Sequence, residues 1–70
     1  MKKICATVSG KVIEFMVDAG DHVGVGDEVL KIESLKMEIP VESEVAGTVA
    51  SILVQAGDDV EEGQVVVELN

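Results

Sequence analysis

The chain has few of the residues that small domains commonly use to build or cross-link a core. It has one cysteine, Cys5, one proline, Pro40, one aromatic residue, Phe15, and neither tryptophan nor tyrosine. A single cysteine excludes an intramolecular disulfide and fits a reducing compartment. Because 47% of the residues are nevertheless hydrophobic, the core must be assembled from many medium-sized side chains, mainly valine.

Positive charge and long apolar runs are also scarce. The 14 acidic residues outnumber the 5 basic ones, which gives a formal net charge of −9. This charge argues against binding to nucleic acid or to an anionic membrane, and it favours solubility or steering toward basic patches on partner proteins. The apolar stretch near the N-terminus ends at Ser9, too early for a signal peptide, and no run could span a bilayer. We therefore expect a complete, cytoplasmic chain.

An internal repeat is the strongest sign of organisation. A shift of 37 residues lays 9–33 on 46–70 without a gap and makes small and apolar residues coincide. The coinciding pairs include Gly10 with Gly47, Val12 with Val49, Val17 with Val54, Gly20 with Gly57, Asp21 with Asp58 and Gly26 with Gly63. We predict one domain over 1–70, composed of half-repeats of about 1–34 and 38–70.

Each half has the two-residue period of half-buried strands. In the first half Ile13, Phe15 and Val17 alternate with more polar residues and are predicted to face the core. Val12 and its repeat partner Val49 interrupt this alternation, which predicts a β-bulge or local burial on both faces at these places. No segment has a convincing helical stripe, so we expect an all-β domain.

The glycines are predicted to serve turns. Gly20 and Gly57 are each followed by an aspartate, and glycine accepts positive φ while aspartate can bond neighbouring amides. The stretch Gly24-Val25-Gly26 is not a phosphate-binding loop, because it lacks the following GK[ST] and a helix. We interpret all the glycines as residues of turn geometry.

A lysine stands between two apolar residues at the centre of the chain, in Glu33-Ser34-Leu35-Lys36-Met37-Glu38-Ile39-Pro40. Exposed apolar side chains at a turn are a recognition feature, so Lys36 is the candidate functional residue. Glu33 and Glu38 would favour its charged form, which argues against a catalytic nucleophile. An exposed lysine at a rigid turn is instead a good acceptor for covalent modification by another enzyme. The repeat relates this turn to the chain ends and predicts that Lys36 and the termini lie at opposite poles.

Over nearly its whole length the chain resembles the biotinyl/lipoyl carrier domain family, in particular stand-alone biotin carboxyl carrier proteins. The resemblance runs from the stretch ATVSGKV at 6–12, through GDHV at 20–23, to VVEL at 66–69. The family marks its biotinylated lysine by Met-Lys-Met, which stands here as Leu35-Lys36-Met37. The implied fold is a barrel-sandwich hybrid, a flattened antiparallel β-barrel or sandwich of two four-stranded sheets with internal pseudo-two-fold symmetry.

The resemblance also implies a function. Lys36 would be covalently biotinylated by a biotin protein ligase that recognises Glu33, Leu35 and Met37. The non-catalytic carrier would then shuttle carboxybiotin between biotin carboxylase and carboxyltransferase subunits of an acetyl-CoA or related acyl-CoA carboxylase, in fatty acid biosynthesis. Without a Pro/Ala linker, docking to these partners would be non-covalent. The family turn further requires positive φ at Leu35 and Lys36, as in a type I′ hairpin.

Several alternatives stay open from the residues. Leu35 departs from the family methionine, although Leu/Met exchanges are mild. A lipoyl carrier, an unmodified adaptor module of the same fold and a decarboxylase complex are the rival functions; lipoyl domains carry an acidic residue before the lysine and usually alanine after it. We expect no metal site, because Cys5 and His22 have no ligand spacing, and His22 is predicted to be a solvated turn residue. Pro40 is predicted to end or edge a strand.

Overall fold

Eight strands and no helix make up residues 2–70, the part that this computed structural model describes. They are β1 (Lys2–Cys5), β2 (Gly10–Phe15), β3 (His22–Val23), β4 (Glu28–Ser34), β5 (Met37–Glu42), β6 (Gly47–Ile52), β7 (Asp59–Val60) and β8 (Val65–Leu69). They form two four-stranded sheets, ordered β1-β8-β6-β3 and β5-β4-β2-β7, with antiparallel pairing throughout. The predicted all-β architecture is confirmed. Within this part no helix is long and apolar enough to cross a membrane.

The sequence repeat corresponds to a structural repeat that relates the two sheets. A shift of 37 residues carries β5, β4, β2 and β7 onto β1, β8, β6 and β3, so that one sheet order reproduces the other. The turns repeat as well: Gly20 and Gly57 both have φ of 95°. Beside them, a carboxylate oxygen of Asp21 or Asp58 accepts a hydrogen bond from the backbone N–H three residues earlier, at 2.8 or 2.9 Å. The internal pseudo-two-fold symmetry is therefore confirmed.

Of the two alternatives predicted for Val12 and Val49, a β-bulge is present at both equivalent positions. The register of β2 with β4 shifts between Val12 and Glu14, and that of β6 with β8 shifts between Val49 and Ser51. Ile13 is the extra residue of the first bulge and has no partner on β4. The prediction that Ile13 faces the core is therefore wrong: it is half-buried and lies outside the core cluster, whereas Phe15 and Val17 pack against that cluster.

The core is made mostly of valine, as the lack of aromatic residues requires. Its buried hydrophobic members are Ile4, Ala6, Val12, Val23, Val29, Leu30, Ile32, Val41, Val49, Val54, Val60, Val66, Val67 and Leu69. Phe15 only packs against the margin of this cluster. Ser43 is buried with it, and its hydroxyl is satisfied by the backbone of Val45, where it donates to the carbonyl oxygen and accepts from the N–H.

Two glycines have a different function from the one predicted. Gly10 and Gly47 begin β2 and β6 and are not turn residues. A Cβ at Gly10 would lie 2.2 Å from the carbonyl oxygen of Glu33, and a Cβ at Gly47 would lie 2.5 Å from that of Asn70. Interpreting all glycines as turn residues was therefore wrong for this pair, which permits close approach of neighbouring backbones. At Gly10, that approach lies beside the end of β4 that leads into Lys36.

Candidate functional site

Lys36 lies in the two-residue loop that joins β4 to β5. Ser34 pairs with Met37, and Glu33 pairs with Glu38, so that only Leu35 and Lys36 remain outside the ladder. Both have positive φ, 53° and 65° respectively. The predicted pair of positive φ angles is confirmed, and they are the only non-glycine residues of the described chain with this feature. A two-residue loop with this signature is a type I′ turn, which matches the twist of the flanking strands.

The conformation of this turn is unfavourable for its residues. Left-handed backbone costs a residue with a Cβ roughly 1–2 kcal/mol, because the Cβ crowds the following carbonyl oxygen. Asparagine and glycine are the residues usually found at these turn positions, because they tolerate positive φ. Leucine and lysine do not share this tolerance. Leucine cannot be retained there for burial either, since its side chain is 89% exposed. Strain combined with exposure points to a residue that is kept for recognition.

The alternation of the strands divides the flanks of the tip into two faces. Ser34 and Met37 are on the face that looks toward the core, where Ser34 is half-buried and Met37 still has 57% of its surface exposed. Glu33 and Glu38 are both exposed on the outer face, directly opposite one another. The lysine is thus bordered by Ser34 and the apolar Met37 on one side and by two carboxylates on the other.

One of these carboxylates, Glu38, forms an ion pair with a lysine of β4. Nζ of Lys31 lies 4.0 Å from Oε1 of Glu38 and 3.8 Å from Oε1 of Glu14. Lys11 is the register partner of Glu33 on the other side of β4. Lysines from β2 and β4 therefore offset the acidic charge of the outer face.

Lys36 itself has no ion pair within residues 2–70. The expected influence of Glu33 and Glu38 on its charge does not take the form of direct contact, because neither carboxylate lies within 4.0 Å of its amine. The side chain is exposed at a turn whose backbone is fixed by the ladder on both sides. A free primary amine in this position is accessible to an enzyme that forms an amide bond to it, so the residues present fit a covalently attached cofactor.

The other sequence candidates lie away from this tip. His22 is exposed as predicted, but it begins β3, opposite Thr48, and is not in a turn as expected. Cys5 is an exposed thiol at the end of β1. Among the described residues, no group of three or more His, Cys, Asp or Glu side chains is arranged to hold a metal ion. Pro40 lies in β5, which is an edge strand, as predicted.

Sequence reasoning missed Lys31 and Lys11 as neighbours of the site. Their positions follow from the register once Leu35 and Lys36 are taken as the loop, because Lys31 then falls diagonally across from Glu38. The pairing of Lys11 with Glu33 depends on the β2–β4 register and hence on the bulge in β2. The two lysines could have been predicted as neighbours of the tip only from the strand register, which periodicity alone does not give.

A family model described as "Biotin-requiring enzyme" matches residues 3–69, nearly the whole chain. Among individual proteins, the chain is 38% identical over 65 residues to the "Biotinylated protein TB7.3 homolog" of Mycobacterium leprae (strain TN). That alignment covers 93% of this chain and 92% of the relative. A second relative, the "Biotin/lipoyl attachment protein" of Bacillus subtilis (strain 168), is 40% identical over 63 residues, which are 90% of this chain and 86% of the relative.

A solved structure of the same fold belongs to a much larger protein. The urea carboxylase of Kluyveromyces lactis superposes with a TM-score of 0.91 and 33% sequence identity over 99% of this chain. The match covers 6% of the urea carboxylase chain. The shared unit is therefore a small part of that protein.

Proposed function

Because this chain belongs to the biotin/lipoyl family of biotin-requiring enzymes, we propose that it is a biotin carrier with Lys36 as its attachment site. Biotin is the cofactor of this family. The single observation that carries the assignment of Lys36 is the turn. It presents the lysine on a strained, exposed loop between Leu35 and Met37, and the side chain of Leu35 is too exposed to contribute to the core. Residues 1–70 form one carrier domain in this proposal.

The chain's contribution is to bind and to orient, and the chemistry comes from the cofactor and from partner enzymes. Bound biotin supplies a ring nitrogen that takes up and releases carbon dioxide. The β4–β5 ladder fixes the backbone of Lys36, so that the flexible part of the tether begins at its side chain. Tethering raises the effective concentration of the group at each active site that it visits. The domain is thus a carrier and not a catalyst.

Recognition by a biotin protein ligase uses the three residues that border the lysine. Leu35 and Met37 supply an exposed apolar contact, and Glu33 supplies a carboxylate on the outer face. The ligase uses ATP and biotin to form an amide with Nζ of Lys36. Such a complex requires the ligase to bury both apolar side chains and to pair the carboxylate with a basic residue.

The carrier serves a biotin carboxylase and a carboxyltransferase, and the net charge of −9 favours basic docking surfaces on both. The acyl acceptor that we propose is acetyl-CoA or a related acyl-CoA, which places the protein in fatty acid synthesis. We also propose a cytoplasmic location and no binding of membrane or nucleic acid. One cysteine and the acidic charge support these assignments. The carboxyltransferase selects the acyl acceptor, because only the tethered cofactor of this chain reaches the acceptor in that active site.

Lipoate is the second candidate for the same lysine. The Bacillus subtilis relative is described as a biotin/lipoyl attachment protein, which supports modification by either group. The apolar flanks of Lys36 favour biotin. Lipoate on this chain would assign it to an oxo-acid dehydrogenase or related complex in place of a carboxylase.

Intact mass spectrometry tests the proposal and separates the candidates. The native chain and a Lys36→Arg variant are incubated with a biotin protein ligase, biotin and ATP, and in parallel with a lipoate ligase and lipoate. We expect one biotin on the native chain and none on the variant, whose charge is unchanged. Lipoate without biotin would favour the second candidate. No adduct in either reaction would favour an unmodified adaptor of the same fold.

A further inference from the structure

Met37 is an exposed thioether next to the proposed attachment lysine. We propose that Met37 is a reversible oxidation site, and that its sulfoxide blocks attachment of the cofactor to Lys36. This inference rests on the proposed function, because it concerns the enzyme that modifies the tip. It adds a modification of the carrier that acts before the cofactor is attached.

The geometry favours Met37 over the other described methionine as the residue whose oxidation matters. Met37 is 57% exposed and adjoins Lys36 in the chain, whereas Met16 is 40% exposed and follows the opposite end of β2. Lys11, near the start of β2, pairs with Glu33 beside the tip, while Phe15 at its end pairs with Leu30. Met16 is therefore separated from Lys36 by the length of the strand. Met1 lies outside the described residues.

The other flank of the lysine cannot undergo the same reaction. Leu35 is 89% exposed and has no sulfur. Only one of the two apolar flanks is therefore oxidisable, so a single oxygen atom would change the character of one of the two apolar contacts. The substitution of leucine in the Met-Lys-Met pattern leaves Met37 as the only sulfur within the tip.

The reaction needs a peroxide as oxidant. The sulfur lone pair of Met37 attacks one oxygen of hydrogen peroxide, the O–O bond breaks, an S–O bond forms, and the remaining oxygen leaves as water after proton transfer. The sulfur is oxidised by two electrons, and the peroxide is reduced by the same number. Methionine sulfoxide reductases reverse the step, one enzyme for each sulfoxide epimer.

The sulfoxide changes the contact that the ligase must make. An apolar thioether becomes a polar, chiral group, which has to lose water before it can be buried against an apolar surface. An unpartnered polar group in that contact lowers the ligase's kcat/KM by roughly tenfold or more. The fold is unaffected, since more than half of the Met37 surface already faces solvent.

The test oxidises the apo chain before any cofactor is attached. A Cys5→Ser chain, in which thiol oxidation cannot contribute, is treated with hydrogen peroxide until about half of each methionine is oxidised, and catalase then removes the peroxide. Biotin protein ligase, biotin and ATP are added for a time that modifies about half of the chains. Peptide mapping then measures the sulfoxide fraction at each methionine, separately in biotinylated and unmodified chains.

The expected result is that biotinylated chains are depleted in Met37 sulfoxide and not in Met16 sulfoxide. Treatment with both reductases before ligation should remove this difference, and oxidised Met37→Leu should be modified at its unoxidised rate. Equal Met37 sulfoxide in the two populations would overturn the inference, as would equal inhibition of the Met37→Leu chain by peroxide. Failure of the unoxidised chain to accept biotin is a separate result that contradicts the proposed function.

Discussion

The hairpin of β4 and β5 and the pairing of β8 with β1 occupy equivalent places in the two sheets, yet the residues at their ends differ. In the first, the ladder continues into the strained turn of Leu35 and Lys36. In the second, the equivalent strands pair without a turn between them, and the pairing reaches Lys2 opposite Leu69. The same antiparallel ladder is thus built with and without that turn. The architecture does not require Leu35 or Lys36, which leaves their side chains free for function.

The two halves agree in the main features of the core and the turns. They share the bulges, the positive-φ glycines, the side-chain caps and the close-approach glycines. They differ on the surface beside the tip, where Lys31 of the first half stands in place of Glu68 in the second. The two halves therefore share the features that build the fold and differ beside the tip. Matched substitutions in the two halves can test this difference.

The largest difference is expected from the close-approach glycines. Gly10→Ala forces a Cβ against the carbonyl of Glu33, which is held on both sides by Lys11 and Glu38, and it should lower the free energy of unfolding by about 3 kcal/mol or more. Gly47→Ala acts against the carbonyl oxygen of Asn70, which lies beyond β8 and is held by the hydrogen bond that its N–H donates to the carbonyl oxygen of Thr48, so a smaller cost of about 1–2 kcal/mol is expected. Urea unfolding measures both values. Equal costs would show that the two close approaches are equally rigid.

In the core the halves should respond alike. Val12 and Val49 are 1% and 2% exposed at equivalent bulges, and truncation to alanine removes two methyl groups and leaves a cavity. Each substitution should cost about 2 kcal/mol, and the two costs should agree within about 0.5 kcal/mol. Parallel urea melts of Val12→Ala and Val49→Ala provide the comparison. A larger gap would break the proposed equivalence of the halves.

Removing the backbone strain at Leu35 should stabilise the fold and slow biotinylation. Leu35→Asn places a residue that tolerates left-handed backbone in the first turn position, and a gain of about 0.5–1 kcal/mol is expected. The same variant loses an exposed apolar flank and should be biotinylated more slowly. Thermal melting and a ligase time course measure the two effects. Leu53→Asn is the control, since Leu53 is 50% exposed without positive φ, and it should give no gain.

The smallest effect is expected from the ion pairs of the outer face. Lys31→Gln removes contacts to Glu14 and Glu38 that are partly exposed, so a loss of about 0.2–1 kcal/mol is expected, and it should shrink as salt is added. Glu68→Gln, at the equivalent position, has no ion pair within the described residues and should change less. Urea unfolding at low and high salt distinguishes the two variants. A salt-independent loss at Lys31 would point to packing of its aliphatic stem.

Much of the fold was predictable because the repeat doubled every local signal. The bulge at Val12 was supported by Val49, and the turn at Gly20 was supported by Gly57. The prediction for Ile13 failed because alternation was counted through the bulge that the same pattern had indicated. Gly10 was misassigned because a strand glycine and a turn glycine look alike until the neighbouring backbone is in place.

The candidate tip could be selected from the sequence, but its surroundings could not be predicted. Lys36, Leu35 and Met37 are adjacent in the chain, so composition and resemblance were sufficient to select them. Lys31 and Lys11 reach the same face only through strand register, which depends on the length of the loop and on the bulge. The pairing of Glu38 with Lys31 in place of Lys36 is a consequence of that register. The opposite-pole arrangement of Lys36 and the chain ends stays a prediction from symmetry.

The proposed function requires that Lys36, alone among the five lysines of this chain, accepts biotin. The most direct measurement is fragment-level mass spectrometry of the native chain after reaction with a biotin protein ligase. We expect biotin on Lys36 only, with Lys2, Lys3, Lys11 and Lys31 unmodified. Biotin on any of those four lysines, or a Lys36 that remains unmodified while the chain gains biotin, would contradict it.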